Sequence, residues 1–298
     1  MTTLGFVGLG EMGGEMATHL VRAGYETRVF DRRREPVAVL ESAGASGAES
    51  VAVVGEGVDA VFLSLPGPAA VEQVVSELEP TLSPGSTVVD LTTSTPETTR
   101  SVADRLSSAD VSVLGAPVSG GASGAEAGSL TAMVGGERAA LERCRPYLEA
   151  FATNVVHVGD DPGHGHAVKL LNNYLSFTAM VATSETVLLG QTAGLDLETM
   201  CEVFNASTGR NSATEDKFPD FITADRDVGF ALELMEKDSR LLLEFAEDNR
   251  VPLLLAGVVR SQVGRTRARY GDGGDMTDVY DHLRETMGVD GSRRRNGP

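Results

Sequence analysis

Lysine is nearly missing from this chain. Of its 25 basic residues only Lys169, Lys217 and Lys237 are lysine, and the other 22 are arginine. Lys169 and Lys237 sit inside the motifs described below, where a titratable amine has a use. Lys217 lies in the polar run Asn211-Ser-Ala-Thr-Glu-Asp-Lys217 with no comparable context. Cysteine is almost as scarce. Cys144 and Cys201 fall in separate predicted elements, with no Cys-x-x-Cys and no Cys/His ligand spacing. That excludes a disulfide framework and a cysteine zinc site, and predicts two reduced structural thiols. Long apolar runs are absent as well: none reaches the ~18 residues that a membrane helix requires. Met1-Thr-Thr-Leu-Gly-Phe-Val7 enters a strand pattern at once, with no basic leader or cleavage site. The expectation is a soluble, cytoplasmic protein with no membrane partner.

Positive charge is also in deficit. The net charge is −18, with 21 acidic against 10 basic residues through residue 160 and 22 against 15 beyond it. Acidity spread along the whole chain argues against nucleic acid or an anionic membrane as a partner. Combined with lysine depletion, it suggests a halophilic source, because a Debye length of about 3 Å at 1 M salt suppresses self-repulsion. A high-GC genome favouring arginine codons is the alternative. The Arg293-Arg-Arg295 cluster reads as a solvated end.

What is present is enough for two domains: 298 residues with 41% hydrophobic content. Strand patterns at Thr3–Gly8, Thr27–Phe30, Ala60–Ser64, Thr87–Asp90 and Val111–Leu114 alternate with helical ones, the signature of a parallel sheet with crossover helices. From about Gly165 the pattern turns helical. Val168, Leu171, Leu175 and the run Val181–Leu189 predict one long helix over about 165–193, and helices continue through Phe230–Asn249 and Pro252–Arg269. The fold class is therefore α/β for 1–162 and all-α for 163–298, with the boundary at Asp160-Asp-Pro-Gly163.

Gly8-Leu-Gly10-Glu-Met12-Gly13 follows the first strand and opens the first helix, with Asp31 about 20 residues on, and so carries the dinucleotide fingerprint. Gly8 permits a tight turn, Gly10 lets backbone approach a pyrophosphate, and Gly13 lets helix and strand pack closely. The helix N-terminus adds free N–H groups for the phosphate. Asp31 can accept from a ribose 2′-hydroxyl and repel a 2′-phosphate, favouring NAD. Arg32, Arg33 and Arg34 could bind that phosphate and favour NADP. NAD is the expected cofactor, with NADP kept open.

Two further segments carry chemistry. The glycine-rich stretch from Gly115 to Gly136 is too rich in small residues for a simple crossover, and exposed N–H groups near Ser119, Gly120 and Gly121 suit a carboxylate. In Gly163-His-Gly-His-Ala-Val-Lys169-Leu-Leu-Asn-Asn173, Lys169 and Asn173 are four apart and share a helix face. His164 and His166 lack a third ligand, so no metal is expected.

At this point the sequence resembles the β-hydroxyacid dehydrogenase family, which includes 3-hydroxyisobutyrate dehydrogenases and tartronate semialdehyde reductases, within the 6-phosphogluconate dehydrogenase superfamily. Its motifs occur in order: the fingerprint at Gly8–Gly13, Leu65-Pro66, the loop Thr92-Thr-Ser-Thr-Pro96, Pro117-Val-Ser-Gly-Gly121, Gly163-x-Gly-x-x-x-Lys169-x-x-Asn-Asn173, and Phe230-x-Leu-x-Leu-Met-x-Lys237-Asp238. One departure is Gly115, where the family often has Asp before Ala-Pro-Val. The resemblance implies a Rossmann-like domain joined by a long helix to an all-α domain through which subunits form a homodimer or homotetramer. It implies that Lys169 is the general acid/base, with its pKa lowered, and that Asn173 orients the reacting oxygen. Ser119, Gly120 and Gly121 would hold the substrate carboxylate. Leu65, Pro66, Thr93 and Lys237 would line the cofactor with Met12, Asp31 and Arg32. The activity implied is hydride transfer between NAD(P) and a small 3-hydroxy acid or its semialdehyde. Imine reduction, disfavoured by Lys169, and a non-catalytic dinucleotide-binding scaffold are the alternatives. The segment Phe204–Phe221, with Asn205, Ser207, Arg210, Asn211 and Ser212, is the expected source of side-chain specificity.

Overall fold

The computed structural model describes residues 2–224 and 227–289, and divides along the chain into two compact units, the first ending at Lys169 and the second beginning at Leu170. The division falls inside a helix. The Arg293-Arg-Arg295 cluster lies outside the described residues.

In the first unit the strands are β1 (Thr3–Val7), β2 (Glu26–Phe30), β3 (Ser46–Gly47), β4 (Ala60–Leu63), β5 (Thr87–Asp90), β6 (Ser112–Gly115), β7 (Val118–Ser119), β8 (Leu130–Gly135) and β9 (Ala152–Gly159). They form one sheet ordered β3-β2-β1-β4-β5-β6-β8-β7, with β9 also paired to β8. Pairing is parallel from β3 to β6, antiparallel where β8 meets β6 and β7, and parallel again between β8 and β9. The helices are α1 (Glu11–Arg22), α2 (Arg34–Ser42), α3 (Val51–Gly55), α4 (Pro68–Leu78), α5 (Pro96–Ser107), α6 (Gly121–Glu126) and α7 (Arg138–Leu148).

Central strands are apolar on both faces because both faces are covered. Successive side chains alternate between two cores. Phe6, Phe62 and Val89 pack with Met16 and Leu20 of α1 and Leu141 and Leu148 of α7. Their neighbours Val7, Val61, Leu63 and Val88 pack with Val71, Val75 and Leu78 of α4 and Val102 and Leu106 of α5. The chain runs from β1 outward to β2 and β3, then returns to add β4 on the other side of β1. That reversal is the topological switch point, where open α/β sheets bind ligands beyond the carboxyl ends of the strands. The segments leaving these ends are Gly8–Gly13 after β1 and Ser64-Leu-Pro66 after β4.

The long helix α8 (His164–Thr192) continues into the second unit, followed by α9 (Leu197–Asn205), a π-helical segment (Ala213–Ile222), α10 (Leu232–Asp248), α11 (Leu254–Tyr270) and α12 (Asp278–Met287). Phe177, Met180 and Leu188 of α8 form the second unit's core with Phe218, Met235, Val263 and Tyr280. Asp196 caps α9 by accepting from the Thr199 N–H at 2.9 Å. Asp275 accepts from the N–H groups of Val228, Gly229 and Phe230 at 3.0, 2.9 and 2.8 Å, fixing the entry to α10. Cys144 and Cys201 are free and buried. Burial pushes the Cys144 thiol up to about 11, which leaves it an unreactive packing group. Among the described residues no helix is long and apolar enough to cross a membrane.

Candidate active site

The glycines of the first turn differ in what requires them. Gly8 has φ +95°, and a Cβ on it would lie 2.1 Å from the Ser64 carbonyl oxygen. A Cβ on Gly13 would lie 2.0 Å from the Gly8 carbonyl oxygen, so α1 meets the turn backbone to backbone. A Cβ on Gly10 would meet nothing within 4 Å. Gly10 is the N-cap of α1 and supplies no side-chain cap, which leaves first-turn N–H groups for an outside acceptor. Met12 is half-buried against the core.

Asp31 has a local role that its position in sequence did not reveal. One carboxylate oxygen accepts from the Leu9 N–H at 2.8 Å and the other from the Arg33 N–H at 2.8 Å, tying the glycine turn to the end of β2. Arg33 also pairs with Asp31 at 3.4 Å, and Arg34 pairs with Glu41 at 2.7 Å. Arg32 is exposed. Beyond β4, the Leu65 N–H donates to Thr92 Oγ1 at 3.1 Å, which joins the Leu65-Pro66 segment to the Thr92–Thr95 loop. Thr93 and Pro66 flank that contact in sequence.

Ser119 ends β7, and Gly120 and Gly121 follow with φ +137° and +65°. This backbone is closed to most side chains. The departure at Gly115 has a steric reason. A Cβ there would lie 2.3 Å from the Pro162 carbonyl oxygen and 2.8 Å from His166 Nδ1, so no aspartate fits at this position.

Along α8, Lys169 and Asn173 are one turn apart, and both are buried, at 7% and 6% exposure. Asn173 Nδ2 donates to Asp238 Oδ2 at 2.7 Å, and its Oδ1 accepts from Asn172 at 3.4 Å. Asp238 also pairs with Lys237 at 3.4 Å. Sequence reasoning gave Asp238 no role beyond its place at the end of the Phe230–Asp238 motif. Its hold on Asn173 depends on α8 and α10 packing in the second unit, and only the adjacency of Lys237 and Asp238 hinted at it.

The two histidines have separate partners. His164 is exposed, 3.9 Å from Asp161. His166 is fully buried, with Nε2 2.9 Å from the Thr92 carbonyl and Nδ1 2.8 Å from Thr99 Oγ1. Burial lowers the His166 pKa and raises that of Asp90, whose Oδ2 lies 3.5 Å from Nε2. In the segment expected to set specificity, Asn205 donates to the Thr214 carbonyl at 2.8 Å and Asn211 accepts from the Ala213 N–H at 2.8 Å. Both amides are therefore used to shape the π-helical segment. Lys217, within that segment, is half-buried and donates to the Ser212 carbonyl at 3.2 Å, and burial lowers its pKa.

Two family models match successive parts of the chain. That for the NAD binding domain of 6-phosphogluconate dehydrogenase covers residues 3–159, and that for the NAD-binding of NADP-dependent 3-hydroxyisobutyrate dehydrogenase covers 163–283. The chain belongs to the 6-phosphogluconate and 3-hydroxyisobutyrate dehydrogenase family. It is 36% identical to 2-(hydroxymethyl)glutarate dehydrogenase of Eubacterium barkeri over 96% of each chain. It is 38% identical to NAD-dependent L-serine dehydrogenase of Pseudomonas aeruginosa, over 83% of this chain and 86% of the relative. The solved structure of Mycobacterium tuberculosis 3-hydroxyisobutyrate dehydrogenase with L-serine superimposes with a TM-score of 0.90 at 29% identity, covering 95% of this chain and 99% of that one. As a member of the 3-hydroxyisobutyrate dehydrogenase family, the chain is an NAD(P)-dependent dehydrogenase.

Proposed function

We propose that this dehydrogenase oxidises 2-substituted 3-hydroxypropionates, or reduces the matching semialdehydes, with Lys169 as general acid/base. The compounds in the relatives' names share one core, a hydroxymethyl group on the carbon that bears the carboxylate. The observation that carries the reading is a buried amine, Lys169, one helical turn from Asn173, whose amide is fixed by Asp238.

A bound nicotinamide dinucleotide supplies the hydride acceptor or donor. The protein does the rest. Gly10 fits such a ligand because no protein atom fills the space where its Cβ would be. Lys169 Nζ takes the substrate hydroxyl proton during oxidation and returns it during reduction. Asn173 Nδ2 carries two hydrogens, and Asp238 takes one; the other is available to orient the reacting oxygen. Ser119, Gly120 and Gly121 hold the carboxylate, which places the hydroxymethyl carbon. Leu65, Pro66, Thr93 and Lys237 line the cofactor. Lys169 disfavours imine reduction, and its burial beside a fixed amide disfavours a non-catalytic scaffold.

Asp31 makes NAD the preferred cofactor: its Oδ2, which accepts from the Leu9 N–H, keeps a lone pair for a ribose hydroxyl, and its charge repels a 2′-phosphate. Arg32 is the opposing influence. Leu171, Leu175 and Leu189 on α8 and Leu254, Leu255 and Val258 on α11 are exposed, and this apolar surface supports a homodimer or homotetramer. The acidic, lysine-poor surface suits a salty cytoplasm. One titration tests these points together: NADH and NADPH fluorescence at low salt and in molar KCl, with the mass read by light scattering. NADH binding tighter than NADPH, strengthened stability in KCl and a multiple of the chain mass are expected. Binding of neither dinucleotide sinks the catalytic reading, and a single-chain mass sinks the oligomer.

A further inference from the structure

Thr92 is held at each of its polar atoms. Its N–H donates to Asp90 Oδ1 at 3.0 Å, its Oγ1 accepts from the Leu65 N–H at 3.1 Å, and its carbonyl lies 2.9 Å from His166 Nε2. It is 3% exposed, and it links the Leu65-Pro66 segment to Thr93. The first two partners come from the strand ends of the sheet. The third comes from α8, and His166 precedes Lys169 on that helix by three residues, which is close to one turn.

We propose that His166 is a positioning residue: by donating from Nε2 to the Thr92 carbonyl, it sets the helix that carries Lys169 against the loop that carries Thr93. The inference rests on the reading that Lys169 moves the proton and that Thr93 lies beside the nicotinamide. The ring is in the tautomer this requires. Asp90 Oδ2, 3.5 Å from Nε2 and accepting no hydrogen bond, favours the proton on Nε2. Nδ1 is then an acceptor for the Thr99 hydroxyl at 2.8 Å, whose proton is shared with the Thr95 carbonyl at 3.3 Å. The backbone leaves space for the ring and for little else. Gly115 has no room for a Cβ beside Nδ1, and a Cβ on Gly165 would lie 2.0 Å from the Gly115 carbonyl oxygen. Helix and strand end thus meet through backbone and one imidazole. Both ring nitrogens are occupied by protein oxygens, so neither is open to a metal ion.

The test compares three variants of the full-length protein. His166→Gln places an amide N–H near the Nε2 position and keeps the bond to the Thr92 carbonyl. His166→Asn reaches only the Nδ1 position and loses that bond. Thr99→Val removes the partner of Nδ1 and leaves the Thr92 contact. Hydroxy-acid kcat and KM, NADH dissociation constant and thermal midpoint are measured for each. His166→Asn is expected to lower kcat on the order of 10-fold, with the NADH constant within about threefold, because reacting groups tolerate little misplacement. His166→Gln and Thr99→Val should stay within about threefold of the wild type in kcat. Equal kcat losses in His166→Asn and His166→Gln, or a loss in Thr99→Val as large as in His166→Asn, would overturn the inference and leave the dehydrogenase reading standing. If both His166 variants fail to fold, the ring is a folding group and the inference is overturned. A wild type without dinucleotide-dependent turnover removes the reading and the inference together.

Discussion

Replacing Lys169 with Ala should lower turnover by roughly 10²-fold or more, the usual contribution of a positioned proton-transfer group, while NADH affinity changes by less than about threefold. Lys169 as a residue is 7% exposed on α8, which limits the access of water to its position. Lys169→Arg gives a sharper form of the same result. A guanidinium keeps the charge and a comparable length, but it does not lose its proton in proteins, so the variant should be as slow as Lys169→Ala. Near-normal kcat in the Arg variant would mean that Lys169 supplies charge rather than a proton. Near-normal kcat in both would remove it from the chemistry.

The fingerprint glycines should separate folding from binding. Gly13→Ala drives a methyl to within 2.0 Å of the Gly8 carbonyl oxygen, a backbone atom that cannot swing aside. The α1 helix must lift from the turn, and a stability loss on the order of 2–4 kcal/mol is expected, as for other strained core substitutions. Gly10→Ala meets no protein atom within 4 Å. Gly is a better N-cap than Ala, so the change should cost about 0.5–1.5 kcal/mol, and its melting point should fall by less than that of Gly13→Ala. Its NADH affinity should fall by about tenfold or more, since the methyl enters the space where pyrophosphate approaches. Thermal melts without ligand, paired with NADH titrations, read both effects. A Gly10→Ala protein that binds NADH like the wild type would contradict the assignment of this turn.

The central sheet was legible because its strands are short, continuous apolar runs ended by glycine or a polar turn, as at β1, β4 and β5. The antiparallel edge was not. β8 lies inside the glycine-rich stretch, where Leu130-Thr-Ala-Met-Val-Gly135 is masked by its neighbours, and β9 is largely exposed or half-exposed, so its alternation is weak. The π-helical segment Ala213–Ile222 has no periodicity of its own in a sequence, and the hydrogen bonds by which Asn205 and Asn211 hold it come from its folded shape. Lys169 and Asn173 could be placed on one face from spacing alone. Their surroundings could not, because the partners come from distant segments: Asp238 is 65 residues from Asn173, and Thr92 is 74 residues from His166. His166 looked like half of an incomplete metal pair for the same reason. Gly115 looked like an unexplained departure until Pro162 and His166 were seen to fill the volume of its missing side chain.

The most direct measurement of the central claim is absorbance at 340 nm when the purified protein, at low salt and in molar KCl, is given NAD or NADP with 3-hydroxyisobutyrate, L-serine and 2-(hydroxymethyl)glutarate in turn. The account predicts reduced cofactor with at least one of the three, faster with NAD than with NADP, and a rate that falls roughly 10²-fold in Lys169→Ala. Tight dinucleotide binding with no reduction of either cofactor by any of these compounds at either salt would contradict it.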